Sequence, residues 1–212
     1  AGTVSINPER LVKYRYEGAG YSKSDAANSR WYGVESSVAA FRNYLYFTDN
    51  GGRLQCVDAN TYDLLFVTDV GEDADATVVI EESYDDGTIY LYTAGQANTS
   101  VGELGEGFGY SWHKKINGLT GEVVWQKQWA ASTGDASNNG GTLATPHVGR
   151  GNISNLVIYA MDLAVMTSEP AVDDVVDPEA PTGTGGNSLG GRIVAYDKTT
   201  GEVAWSIEDA GA

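Results

Sequence analysis

Few side chains in this sequence have the reactivity and spacing of a catalytic centre. The histidines are His113 and His147, which lie far apart and lack the helical spacing that places two metal ligands on one face. The single cysteine, Cys56, has no partner for an internal disulfide and lies in an apolar run, the usual setting of a buried thiol. The serines Ser36, Ser37 and Ser132 do not stand in a Gly-x-Ser-x-Gly frame. We therefore predict no catalytic residues, no cofactor-binding residues, and histidines that are structural.

Carboxylates are the more suggestive groups, because hard cations such as calcium bind several carboxylate and carbonyl oxygens. The metal-ligand candidates are Asp173, Asp174, Asp177 and Glu179, within an acidic segment at 163–190. One interpretation is a site for a cation or for a basic partner. The interpretation that we favour is a solvated loop kept unfolded by its prolines and glycines, since its spacing matches no EF-hand pattern.

The overall charge excludes several classes of partner. Against 29 acidic residues the chain has 13 Lys and Arg, a formal net charge of −16 that repels nucleic acids and anionic membrane surfaces. No apolar run approaches the roughly 20 residues of a membrane-spanning helix. The beginning of the sequence also lacks the basic and then apolar pattern of a signal peptide. We predict no nucleic-acid partner and no membrane insertion.

The elements that must position any site are indicated by a phrase that occurs three times. Each copy begins with an Asp or Asn, followed three residues later by Thr and eight residues later by an aromatic residue. The first residues are Asp58, Asn117 and Asp197, and the aromatic residues are Phe66, Trp125 and Trp205. A short acidic or amide side chain accepts hydrogen bonds from the backbone ahead of it, and a glycine after the Thr adopts the left-handed conformation of a tight hairpin. Each phrase is therefore predicted to be a hairpin corner between two strands.

Two further strand-like runs precede each corner, and four strands per repeat is the pattern of a β-propeller blade. We predict an all-β chain, a partial propeller of three four-stranded antiparallel blades. The predicted organisation is a leading segment at 1–30 carrying the last strand of a preceding blade, blade 1 at 31–70, blade 2 at 71–130 with a long loop at 94–110, and blade 3 at 131–212 with the acidic loop at 163–190. The loops joining the second and third strands and those joining successive blades should emerge at one end, which would bring Glu72, Asp73 and Asp75 to the same end as the acidic loop.

The residues from Ala195 to Trp205 resemble the repeat of quinoprotein-type β-propellers, the PQQ repeat, and the second copy resembles it almost as well. The first copy departs from it, with Tyr62 in place of Gly and Phe66 in place of Trp. The resemblance covers roughly 31–208 and implies that each repeat Trp packs between blades against the peptide beside a repeat Gly. The structural docking residues that it implies are Trp125, Trp205, Gly121, Gly201, Asp58, Asn117 and Asp197.

The same resemblance bears on cofactors. Quinoprotein dehydrogenases of this family use an adjacent pair of cysteines, a Trp beneath the quinone and a calcium site inside a closed ring. This chain has Cys56 alone and therefore lacks the pair. We expect no cofactor; pyrroloquinoline quinone with calcium belongs only to the alternative that the chain is part of such an enzyme.

Our favoured hypothesis is a non-catalytic repeat module of a bacterial protein that is secreted, periplasmic or on the cell surface, and that binds a protein partner or surface ligand. One alternative is a fragment of a quinone-dependent dehydrogenase. A second is a carbohydrate or cell-surface adhesin that uses exposed aromatic residues such as Phe108, Tyr110 and Trp129. Because propellers have four to eight blades, we expect either a piece of a longer protein or self-association through the terminal blades, head to tail into a six-bladed ring or back to back.

Overall fold

The structure, a computed structural model, describes residues 33–84, 86–97, 108–132, 140–163 and 190–208. In these ranges the chain forms three antiparallel sheets of four strands each, which confirms the predicted all-β propeller architecture. The predicted leading segment at 1–30 lies outside the described residues, as do the loop residues 98–107 and 164–189. No helix in the described ranges is long and apolar enough to cross a bilayer.

Each sheet is a meander in which consecutive strands pair. Blade 1 contains β1 (Ala39–Phe41), β2 (Tyr44–Thr48), β3 (Arg53–Asp58) and β4 (Leu64–Asp69). Blade 2 contains β5 (Val79–Glu82), β6 (Ile89–Ala94), β7 (Phe108–Asn117) and β8 (Val123–Ser132). Blade 3 contains β9 (His147–Val148), β10 (Leu156–Leu163), β11 (Gly190–Asp197) and β12 (Val203–Glu208), with a short 3-10 helix at Gly151–Ile153 before β10.

The core lies between the blades, because both faces of a central blade are covered by its neighbours. The first strands β1, β5 and β9 lie next to one another. One apolar cluster, which includes Tyr46, Leu54, Leu91 and Ile116, lies between blades 1 and 2. A second, with Tyr92, Trp125, Tyr159 and Tyr196 among its members, lies between blades 2 and 3. The side chains at the blade interfaces therefore determine how the blades are positioned.

The three repeated phrases form equivalent hairpin corners. In blade 3 the Asp197 carboxylate accepts hydrogen bonds from the backbone N–H groups of Thr199 and Thr200, at 2.8 and 3.0 Å. These bonds, that from Thr200 first, hold the pKa of Asp197 below its usual value. Asp58 and Asn117 accept the same pair of bonds in their corners. The left-handed residue follows in each copy: Tyr62 with φ 67°, Gly121 with φ 79° and Gly201 with φ 74°.

The strands of blade 2 extend further than the sequence indicated. Residues 108–110 lie in β7, inside the predicted loop at 94–110, and β8 continues to Ser132, past the predicted end of blade 2 at 130. The hairpin continues because Phe108 pairs with Ser132 and Tyr110 with Ala130, so that its residues still have ladder partners. The first strand of each blade is short: β1 contains three residues, β5 four and β9 two.

Candidate functional site

The contact between blades 2 and 3 centres on Trp125. Its indole is 8% exposed, and Nε1 donates to the carbonyl oxygen of Lys198 at 3.0 Å. The same carbonyl accepts a second hydrogen bond from Lys115 Nζ at 2.7 Å. A Cβ on Gly201 would stand 2.8 Å from Trp125 Cγ. Glycine is therefore favoured at this corner twice, by its left-handed backbone and by the ring that lies against it.

The contact between blades 1 and 2 is equivalent, although Phe66 replaces the tryptophan. A Cβ on Gly121 would stand 2.6 Å from Phe66 Cδ2. A phenyl ring cannot donate to the corner carbonyl, and the Tyr46 hydroxyl donates to the Gly118 carbonyl instead, at 2.8 Å. Thr68 Oγ1 donates to the Gly121 carbonyl at 2.7 Å, which adds a further bond between the blades.

The third docking aromatic, Trp205, occupies the equivalent position of blade 3. It pairs across the ladder with Ala195, as Trp125 pairs with Lys115. Trp205 is 37% exposed, and Ile193 and Ile207 on the same side of the hairpin are more exposed still. We call these three side chains the Trp205 face. The docking role that the resemblance implies for Trp205 stays a prediction.

His113 belongs to a buried hydrogen-bonded chain between blades 2 and 3. Trp129 Nε1 donates to the Tyr196 hydroxyl at 2.5 Å, and His113 Nδ1 lies 2.8 Å from the same hydroxyl. The Tyr196 oxygen accepts the indole bond, and His113 Nε2 lies 2.7 Å from Thr142 Oγ1, so both ring nitrogens of His113 have a hydroxyl partner. Tyr159 stacks on the imidazole with 4.1 Å between ring centroids. Burial lowers the pKa of His113 to about 3, so the ring stays neutral and structural.

The thiol of Cys56 is likewise part of an interface. Cys56 is fully buried in the cluster between blades 1 and 2, next to Tyr46. Burial raises the pKa of Cys56 to about 12, so that the thiol is protonated at neutral pH and is a poor nucleophile or metal ligand.

A group of carboxylates lies at the end of the blades where the blade-to-blade connections emerge. We call Glu35, Asp73 and Asp75 the acidic end. Gln96 joins this group from blade 2, since its Nε2 donates to Asp75 Oδ2 at 2.6 Å and its backbone N–H donates to the Asp73 carbonyl at 2.7 Å. Burial, followed by the charges of Asp73 and Glu35, raises the pKa of Asp75 to about 6. Like charges are therefore held together here.

Backbone contacts make the acidic end rigid. The Thr48 hydroxyl donates to the Ala74 carbonyl at 2.7 Å, and the N–H of Val70 donates to the Gly52 carbonyl at 2.8 Å. Gly95 approaches the Asp73 carbonyl so closely that a Cβ there would stand 2.9 Å from its oxygen. The carboxylates are thus carried on a connection that is tied to both blades, which favours a pre-formed site.

Acidic residues at the opposite end of the blades are arranged differently. Glu81 forms an ion pair with Lys198 and accepts a hydrogen bond from the Tyr92 hydroxyl at 2.9 Å. Glu82 forms an ion pair with Arg42. These carboxylates have cationic partners that join neighbouring blades, whereas the charges acting on Asp75 are those of other carboxylates.

Two of the aromatic residues assigned to an adhesin surface are not on a surface, so that prediction was wrong for them. Trp129 is 2% exposed and Tyr110 is 9% exposed, while Phe108 is half-buried. The extension of the β7–β8 hairpin explains the burial, because it places these residues in a sheet. The metal candidates Asp173, Asp174, Asp177 and Glu179 lie outside the described residues. Within the described ranges, no group of three or more His, Cys, Asp or Glu side chains is arranged to hold a metal ion.

Some residues of these contacts were not found by sequence reasoning. Lys115 and Tyr46 supply donors to the corner carbonyls, and neither belongs to the repeated phrase. Glu35 reaches Asp75 from the segment before β1. Sequence spacing gave no signal, because Tyr46 lies 12 residues before Asp58 whereas Tyr92 lies 25 residues before Asn117.

Comparisons with known proteins give likenesses in structure alone, since no protein-family model and no curated protein matches the chain. A europium-containing methanol dehydrogenase is similar with a TM-score of 0.53 and 14% identity, over 92% of this chain and 35% of that chain. The quinohemoprotein alcohol dehydrogenase ADHIIG from Pseudomonas putida HK5 has a TM-score of 0.46 and 19% identity, over 80% of this chain and 26% of that chain. BamB from Moraxella catarrhalis has a TM-score of 0.26 and 16% identity, over 83% of this chain and 65% of that chain.

The first of these likenesses has the TM-score that supports a shared fold, and its low identity limits the conclusion to the fold. This chain spans about a third of the length of that dehydrogenase. The repeated corners, the four-stranded meanders and the ring-on-glycine contacts agree with it. In fold, the described residues form three four-stranded blades of a β-propeller, similar to part of that dehydrogenase.

Proposed function

We propose that this chain is a non-catalytic propeller module of an exported protein, and that its acidic end binds a basic segment of a protein partner. The observation that carries the proposal is the cluster of Glu35, Asp73 and Asp75, in which like charges and burial raise the pKa of Asp75. Partly buried like charges cost folding free energy, and such clusters are enriched at functional sites.

A cationic partner would offset the free energy that is spent in holding the like charges of the acidic end together. A Lys or Arg side chain placed against the cluster offsets the repulsion between its carboxylates and adds charge-assisted hydrogen bonds. The net charge of −16 attracts a basic segment from a distance and raises the rate of encounter. A surface ligand that presents ammonium groups would be recognised by the same chemistry.

The groups with catalytic potential have structural environments that fit a non-catalytic role. His113 is neutral and enclosed between two blades, and Cys56 is a buried, protonated thiol. Both side chains contribute to the packing that positions the blades. The export proposal rests on the family resemblance of the repeat.

The test uses a synthetic peptide of alternating Lys and Ser as the probe and titration calorimetry as the measurement. One variant neutralises the acidic end (Glu35→Gln, Asp73→Asn, Asp75→Asn). The matched control removes the same amount of charge from exposed corner residues (Asp63→Asn, Glu122→Gln, Glu202→Gln). We expect the first variant to weaken binding about tenfold or more at physiological salt and the control to weaken it less than about threefold. Equal weakening by the two variants would show general attraction only and would contradict the proposal.

A second candidate, part of a quinone-dependent dehydrogenase, is favoured by the structural likeness to the methanol dehydrogenase. The residues present do not fit the quinone site that the resemblance implies. Cys56 is the one cysteine of the chain, and it is enclosed between blades 1 and 2 where no second thiol adjoins it. This candidate requires that other blades supply the cofactor ligands, and its test is direct cofactor binding.

A further inference from the structure

The three corners share one geometry but differ in one side chain. In each corner a backbone N–H closes the turn on the Asx residue: Tyr62 on Asp58, Gly121 on Asn117 and Gly201 on Asp197, at 2.7, 2.8 and 2.8 Å. The residue directly after each Asx donates its N–H to a carbonyl at or just before the start of the second strand: Ala59 to Asn43, Gly118 to Ile89 and Lys198 to Asn155. Blade 1 therefore has the same corner backbone as the two blades that receive an aromatic ring.

Tyr62 prevents the corner of blade 1 from receiving an aromatic ring. At Gly201 and Gly121 the space that a Cβ would enter is filled by the ring of the preceding blade, with approaches of 2.8 Å to Trp125 and 2.6 Å to Phe66. Tyr62 has the same left-handed backbone, at φ 67°, and carries a Cβ in that space. A ring seated there as in the other two corners would be closer to this Cβ than non-bonded carbon atoms come. The side chain of Tyr62 itself is 38% exposed.

The Trp205 face presents an aromatic ring, whereas the corner of blade 1 is the part that would have to receive one. Trp205 occupies the same position in blade 3 as Trp125 does in blade 2, where the Trp125 ring contacts the next blade. Its ladder partner on β11 is Ala195. The indole N–H of Trp205 requires an acceptor when the ring is covered, and the Trp125 contact shows that the carbonyl of a corner supplies one, at 3.0 Å. A corner with glycine at its left-handed position provides both the space and the carbonyl.

We infer that the two outer blade faces of this chain do not fit each other: the Trp205 face takes a four-stranded blade with a glycine corner, and Tyr62 prevents blade 1 of a second copy from acting as that blade. The sequence left two modes of self-association open, head to tail and back to back. The mismatch between the two faces disfavours the head-to-tail ring. It also identifies Tyr62 as a residue that sets the order in which blades can associate.

Sedimentation velocity on the 212-residue chain tests this inference. Tyr62→Gly removes the Cβ while keeping the left-handed backbone, and Tyr62→Asn is its control because Asn tolerates that backbone but retains a Cβ. We expect Tyr62→Gly to associate at least tenfold more tightly than the wild type, and Tyr62→Asn to behave as the wild type does. The double variant Tyr62→Gly, Trp205→Ala should lose the gain.

Three results would overturn the inference. The first is unchanged association of Tyr62→Gly, which would show that Tyr62 is not the block. The second is equal association of the Gly and Asn variants, which would exclude the Cβ as the cause. The third is association of the wild type that Trp205→Ala abolishes, which would show that a second copy already covers the Trp205 face. Thermal melts of all variants establish that each is folded.

Discussion

The ring of Trp125 lies against Gly201 so closely that a Cβ on the glycine would stand 2.8 Å from Trp125 Cγ. Two residues from different repeats thereby define how blade 2 meets blade 3. The left-handed backbone of Gly201 and the carbonyl of Lys198 complete the contact.

Trp125→Ala should lower the free energy of unfolding by about 3 to 5 kcal/mol, as for other large aromatic residues removed from a core. Trp205→Ala should cost less, about 1 to 2 kcal/mol, because Trp205 is 37% exposed whereas Trp125 is 8% exposed. Urea unfolding of both variants measures the difference. Equal costs would show that Trp205 is covered as fully as Trp125.

Gly201→Ala should destabilise the protein by about 2 to 4 kcal/mol, since it adds strain at φ 74° and a clash with the Trp125 ring. Gly87→Ala is the matched control. Gly87 has φ 69°, and a Cβ there would have no atom within 4 Å, so that only the backbone cost of about 1 kcal/mol remains. Similar losses for the two variants would contradict the packing role of Gly201.

His113 predicts a loss of stability in acid. Its pKa is about 3 in the folded protein and about 6.5 in the unfolded chain, so below pH 6.5 the unfolded chain takes up a proton that the folded protein does not. The free energy of unfolding should fall as the pH drops from about 6.5 towards 3, by about 2 kcal/mol at pH 5. His113→Asn should remove this slope, with His147→Asn as the control for loss of an exposed histidine. A slope that persists in His113→Asn would assign it to other groups.

The raised pKa of Asp75 implies the opposite dependence of stability on pH. Its folded pKa of about 6 lies above the unfolded value, so its contribution to stability is fully present below about pH 3.8 and is lost as the pH rises through 6. Asp75→Asn should therefore stabilise the protein at pH 8 by about 1 kcal/mol, a figure reduced for solvent screening, and should have no such effect at pH 3.5. The amide oxygen introduced at position 75 can still accept the hydrogen bond from Gln96 Nε2. Destabilisation at pH 8 would mean that the Asp75 charge is compensated.

The corners could be predicted from sequence because their interactions are local. An Asx side chain bonded to the N–H groups two and three residues ahead, and a residue with positive φ after the Thr, both follow from the phrase itself. The docking of Trp125 followed from the family resemblance. The exception at Tyr62 was visible as a departure, but its consequence required the position of the ring at Gly201.

The long-range contacts between blades could not be predicted from the sequence. The chain from Trp129 through Tyr196 to His113 and Thr142 joins residues of two blades, and no short pattern places them together. Tyr110 was placed in the predicted loop at 94–110 and Trp129 was taken as exposed, because the glycine-rich segment before β7 obscured the start of that strand. Their burial depends on the continued pairing of β7 with β8, which is a property of the hairpin as a whole.

Titration calorimetry with pyrroloquinoline quinone, in the presence and absence of calcium, tests the proposed non-catalytic role most directly. The one cysteine of the chain, Cys56, is buried between blades 1 and 2, so the adjacent thiol pair of the quinone site is missing. We predict no saturable heat of binding in either condition. Saturable binding at micromolar concentration would contradict the account and would favour the dehydrogenase candidate.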